Sequence, residues 1–140
     1  MTTKTKLKEY YDFSCYVIKY ECVSAQNKIY KKNSLKNDNM IVPLCWDHDH
    51  DQTSVLGQAL IENREDGVYA YFKLYNTCYK PYIIQLVQDR GSVSTSPYIE
   101  KVVFDGNYVI DGIIREVSLT PVRVDPDECY YPVMKQCIYS

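Results

Sequence analysis

The sequence predicts a mainly β fold of the α+β class with few helices, arranged as a small closed or nearly closed antiparallel β-barrel. Three observations carry this expectation. Fifteen tyrosines, three phenylalanines and one tryptophan give 14% aromatics, residue types that suit a pleated, half-buried surface. Runs of β-branched and aromatic residues recur between turn signals, and one segment reads as a helix. At 140 residues and 46% hydrophobic content, the chain suits a single domain, 1–140, with one core. That core spans about 14–124, and a tail follows over 125–140.

The elements follow in order. Residues 15–23 (CYVIKYECV) read as a first strand, and the polar stretch 26–39 (QNKIYKKNSLKNDN) as a loop. Residues 41–46 (IVPLCW) suit a short strand. Segments 55–62 (VLGQALIE) and 68–75 (VYAYFKLY) flank NREDG, whose closing Asp-Gly signals a hairpin. Residues 81–90 (PYIIQLVQDR) make the helix, because Pro81 can open it, apolar residues at 83, 84, 86 and 87 form one stripe, and Gly91 can stop it. Residues 93–103, 108–110 and 113–120 are again β-like.

Charge and cysteine usage narrow the function classes. A net charge of -2 gives no general attraction to nucleic acid. Residues 1–40 carry eight Lys against four acids, scattered as on a solvated face. The polar start MTTKTKLKEYY does not read as a signal peptide, and no apolar run suits a membrane span. Without a secretory signal the six cysteines are expected to stay thiols inside a cell, acting as small buried hydrophobes. No cofactor is expected.

Two stretches carry chemistry. In VPLCWDHDHD an apolar run ends in Asp47, His48, Asp49, His50 and Asp51. On an extended segment His48 and His50 would face one side and could share a metal ion with a carboxylate. No further His exists to complete a zinc set, and the glycine and glutamate of a calcium loop are missing. A metal site, a solvated acidic turn and a catalytic base all stay open on these residues. The second stretch is RGSVSTSP, where Ser92, Ser94 and Ser96 alternate. A serine becomes a nucleophile when a base takes its proton and a third group orients that base. Glu116, in the apolar IREVSLT, is a candidate for the third group; the alternatives are a salt bridge to Arg115 or Arg123, or solvent exposure.

The order VPLCWDHD, VLGQA, DGVYAYFKL, a helix, a Gly-x-x-Ser segment and IREVSLTPV resembles the prohead maturation proteases of tailed bacteriophages, which share their fold with herpesvirus assemblin proteases. The resemblance covers roughly residues 14–124, and its first and last blocks are the most specific. It implies His48 as general base, Ser94 as nucleophile with Ser92 and Ser96 as alternatives, and Glu116 as the residue orienting His48. It further implies an oxyanion site from the backbone near Ser94 to Ser96, with Arg123 as a further candidate. The family's Ser-x-Gly pattern is broken here, since Ser96 stands near the glycine position and Pro97 is extra.

The resemblance implies a serine endopeptidase, with neither metal nor cofactor, that cleaves phage scaffold and major capsid proteins and itself. It would act in the host bacterial cytoplasm inside the prohead, with a homodimer as a candidate state and no nucleic acid or membrane partner. A non-catalytic protease-like assembly module is the alternative, and a metal-binding β domain a third.

Overall fold

A computed structural model describes residues 3–23, 27–47, 55–88 and 93–121. The elements in order are α1 (Thr3–Glu9), β1 (Phe13–Lys19), β2 (Ile29–Tyr30), β3 (Met40–Trp46), β4 (Val55–Arg64), β5 (Gly67–Leu74), α2 (Lys80–Gln88), β6 (Val93–Asp105) and β7 (Tyr108–Pro121). The strands form one sheet ordered β1-β5-β4-β3-β7-β2, with β6 added on β7. The mainly β expectation holds.

Of the expected closed or nearly closed antiparallel barrel, closure is not found, and the pairing is not all antiparallel. β3 and β2 both pair with β7 in parallel, so the sheet is mixed. It curls without closing, and among the described residues β1 and β6 meet through side chains rather than a ladder. The Cys15 thiol donates to Thr95 Oγ1 at 3.8 Å, and the Thr95 hydroxyl donates to the Tyr16 carbonyl at 3.4 Å. A bulge between Tyr16 and Ile18 breaks the regular row of edge groups that a closing ladder would need.

The concave face holds the core. Phe13 and Phe72 stack at 4.8 Å within a buried set that includes Leu44, Ile61, Val117 and Leu119. α2 contributes Ile83 and Val87 to the same core, as its apolar stripe requires. On the opposite face, Leu7 of α1 packs with Leu60 and Tyr71.

Boundaries moved for identifiable reasons. β1 ends at Lys19 because the Tyr20 N–H bonds to the Asp66 carbonyl at 3.0 Å and Glu21 turns the chain at φ 60. Part of the expected loop is β2, which borrows the edge of β7 at Tyr108 and Val109. The segments expected at 108–110 and 113–120 are one strand, β7. The β4–β5 hairpin turns on Glu65 and Asp66, and Gly67 already pairs with Arg64. Gly67 is needed for space: a β-carbon there would lie 2.2 Å from the Ile18 carbonyl oxygen of β1.

Candidate active site

Strand β3 delivers its acidic end to β7. Pro43 pairs with Gln58 of β4, and the parallel ladder to β7 begins one residue later, at Leu44. A proline with no N–H fits where that second ladder has not yet started. The ladder runs Leu44–Val117, Cys45–Ser118 and Trp46–Leu119. Asp47 then takes φ 50, and its N–H donates to the Leu119 carbonyl at 2.9 Å. His48, Asp49, His50 and Asp51 come next and lie outside the described residues, as do Ser92 and Arg123.

Strand β6 runs along the far side of β7. Ser94 pairs with Thr120, Ser96 with Ser118, and Tyr98 with Glu116. Two candidate serines and the candidate acid are therefore brought onto adjacent strands, and the end of β3 arrives on the other side of β7 at the Leu119–Thr120 level. Val117, Leu119 and Leu44 belong to the core. By strand alternation Glu116, Ser118 and Cys45 lie on the reverse, outer face.

Glu116 is 3% exposed and Ser118 fully buried, yet neither belongs to an apolar cluster. The Ser118 hydroxyl donates to Glu116 Oε1. Solvent exposure is thus excluded for Glu116. Arg115, the salt-bridge alternative within the described residues, bonds instead to Glu100, Nε to Oε2 at 3.1 Å.

The site depends on a bulge that the sequence does not announce. Ile99 pairs with Ile114 while Tyr98 pairs with Glu116, so Arg115 is an extra residue in β7. The displaced backbone of Ile114 is held by Asn37, which is fully buried. Asn37 Nδ2 donates to the Ile114 carbonyl at 2.9 Å, and the Ile114 N–H donates to Asn37 Oδ1 at 2.6 Å. An asparagine amide reproduces the donor–acceptor pair of a strand neighbour. That grip fixes which residues of β7 face outward beyond the bulge. Ser118 and Asn37 are the residues that the sequence reading missed. Ser118 showed no signal beyond its i+2 spacing from Glu116, and Asn37 lay in a stretch assigned to loop.

Two other polar groups are structural. Cys15 sits at the β1–β6 seam, where burial pushes its thiol up to about 12, opposed by the hydrogen bond with Thr95. Asp12, fully buried, accepts the Leu74 N–H on Oδ2 at 2.8 Å, and its Oδ1 stands 3.6 Å from both Lys73 and Lys80. It ties the start of α2 to β5. Among the described residues no cluster of His, Cys, Asp or Glu is placed to hold a metal ion, and no helix is long and apolar enough to cross a membrane.

No protein-family model, curated protein or solved structure matches this chain.

Proposed function

We propose that the chain is a serine endopeptidase of phage capsid maturation, its curled sheet a variant of the herpesvirus-protease type of barrel, acting with neither metal nor cofactor. Its substrates would be scaffold and major capsid proteins, and its own chain, inside the prohead in the host cytoplasm. The observation that carries this reading is the buried carboxylate of Glu116, one strand from Ser94 and Ser96 and on the strand that receives the end of β3. Burying a carboxylate is costly even where hydrogen bonds hold it, so its retention on the outer face supports a chemical role.

In this reading Ser94 Oγ attacks the scissile carbonyl while His48 takes the hydroxyl proton. The tetrahedral intermediate collapses with cleavage of the C–N bond, and His48 returns the proton to the leaving amine. Water, activated by the same imidazole, then hydrolyses the acyl-enzyme. Glu116 holds the imidazole tautomer and stabilises its cationic form, while N–H groups of residues 94–96, with Arg123, hold the oxyanion.

Co-expression with scaffold protein tests the reading. Cleavage should be lost in Ser94→Ala and in His48→Ala, and a fluorophosphonate should label Ser94 and not Ser92 or Ser96. Unchanged cleavage in both variants would sink the triad. The second reading, an inactive assembly module, is favoured by the exposed Val103, Phe104, Tyr108 and Ile110 near the β6–β7 turn. It predicts scaffold association without cleavage by the unaltered chain, and no change on His48→Ala.

A further inference from the structure

We infer that Ser118 is a positioning residue for the acid of the triad: its buried hydroxyl draws the Glu116 carboxylate along β7 toward the level at which Ser94 and the end of β3 flank that strand. The inference rests on the proposed protease reading and goes beyond it, since Ser118 is assigned no part in that triad.

The distances along β7 create the need. Residues 116 and 120 are four strand positions apart, about 13 Å at the usual rise per residue. The ladder places Ser94 opposite Thr120, and the Asp47 N–H meets the Leu119 carbonyl. Both therefore sit near the carboxyl end of β7, well beyond Glu116. A glutamate standing straight off the sheet would hold its carboxylate level with Tyr98, its own ladder partner. The donated hydrogen bond from Ser118 to Oε1 makes the side chain lean toward that end. Positions i and i+2 of a strand share a face about 6.6 Å apart, a gap that the longer Glu side chain spans and an aspartate would not.

The bond also constrains the acid chemically. The hydroxyl has one proton to give, and it gives it to Oε1, so that oxygen acts as acceptor. Hydrogen bonds to charged acceptors are the strong ones, and this one lies out of water, where Ser118 is fully buried and Glu116 3% exposed. Rotation about the terminal torsion of a glutamate is soft. Fixing one oxygen orients the other.

The test uses the full chain and a saturating series of a fluorophosphonate probe, which separates the maximal inactivation rate from probe affinity. Ser118→Val and Ser118→Thr are compared, because they have nearly the same volume and β preference and differ in the hydroxyl. Ser118→Val is expected to lower the maximal rate about tenfold to a hundredfold, the range for losing a hydrogen bond to a charged group, with affinity unchanged. Ser118→Thr should stay within about threefold of the unaltered chain, on the same reasoning. In a Glu116→Gln background, Ser118→Val should cost nothing further, since coupled residues are not additive. Equal rates for Val and Thr, or the same loss on top of Glu116→Gln, overturns the inference. If Glu116→Gln itself leaves labelling unchanged, the triad reading and this inference fall together. If Glu116→Gln slows labelling and Ser118→Val does not, the inference alone falls. Should Ser118→Val fail to fold, Ser118→Ala against Ser118→Thr gives the same contrast.

Discussion

Two regions of the sheet's outer face treat polar side chains in opposite ways. On the outer face of β1, β5 and β4 they form a half-exposed web. Arg64 lies 3.7 Å over the Tyr69 ring and 2.6 Å from Glu62, and Lys8 of α1 reaches the same carboxylate at 2.9 Å. Tyr69 in turn shares a 2.7 Å hydrogen bond with Ser14. On β3 and β7 the polar groups are few and buried, with Glu116 at 3% and Ser118 at 0% exposure. Exposed ion pairs contribute roughly 0–1 kcal/mol each and are easily replaced. A carboxylate sealed from water must be held by dedicated donors to be tolerated. The first arrangement fastens a helix to a scaffold, and the second is what the proposed triad would require.

The largest effect expected on that contrast is catalytic. Glu116→Gln should lower turnover on scaffold substrate by about 10⁴, as when the orienting acid of the Ser-His-Asp template is neutralised. Glu62→Gln, the acid of the half-exposed web, should leave turnover unchanged. Comparable losses from both substitutions, measured as cleavage rates, would abolish the distinction.

A smaller effect concerns stability. Asn37→Ala strips the buried Ile114 backbone of both partners and should cost about 2–4 kcal/mol, since each orphaned buried group costs roughly 1–3. Denaturant unfolding measures the cost, and the β7 amides near the bulge should exchange faster. A loss below about 0.5 kcal/mol, typical of surface substitutions, would mean that the bulge does not depend on this grip.

Acid should then loosen the web before the core. Burial alone would raise the Glu62 carboxyl, but hydrogen bonds from Lys8 and Arg64 outweigh it and hold the group below its ordinary value. A depressed carboxylate contributes stability that is present above its unfolded pKa and lost as pH falls through the folded one. Because Glu62 sits in a partly solvated web of ion pairs, the loss should stay near or under about 1 kcal/mol. It should fall below the ordinary glutamate range and disappear in Glu62→Gln, read from unfolding curves between neutral and acid pH.

The smallest expected difference is among the thiols. Cys22 and Cys78 are exposed and should alkylate in the folded protein, whereas Cys15 is buried with its thiol pushed up to about 12. Cys15 should therefore label at the rate of global unfolding. A raised thiol pKa keeps its stabilising share at pH below the unfolded value, and that share declines as pH climbs toward 12. Rapid labelling of Cys15 at neutral pH would show that the β1–β6 seam opens locally.

Much of the scaffold was legible because it rests on local pattern. The β4–β5 hairpin, the short β3 and the helix near 80–88 announce themselves by alternation, turn residues and one apolar stripe. What escaped depends on partners distant in sequence. β2 is two residues that become a strand by lying on β7. The parallel pairing of β3 with β7 joins segments more than seventy positions apart, as Leu44 and Val117 do. The charge of Glu116 was readable as an anomaly on an apolar strand. Its bond to Ser118 and its seal from water were not, because nothing at residues 115–119 reveals that both faces of β7 are covered there.

Gly67 has a reach that its place in a hairpin does not suggest. The missing side chain lets the backbone of β1 pass tightly at Ile18. Two residues earlier β1 offers the Tyr16 carbonyl to Thr95, the immediate neighbour of Ser94. A single added carbon at the glycine acts as a wedge, pushing on β1 and, through that carbonyl, on the anchorage of β6. The strand that carries the proposed nucleophile is moored to the far side of the sheet, and the mooring line is as short as one absent methyl group.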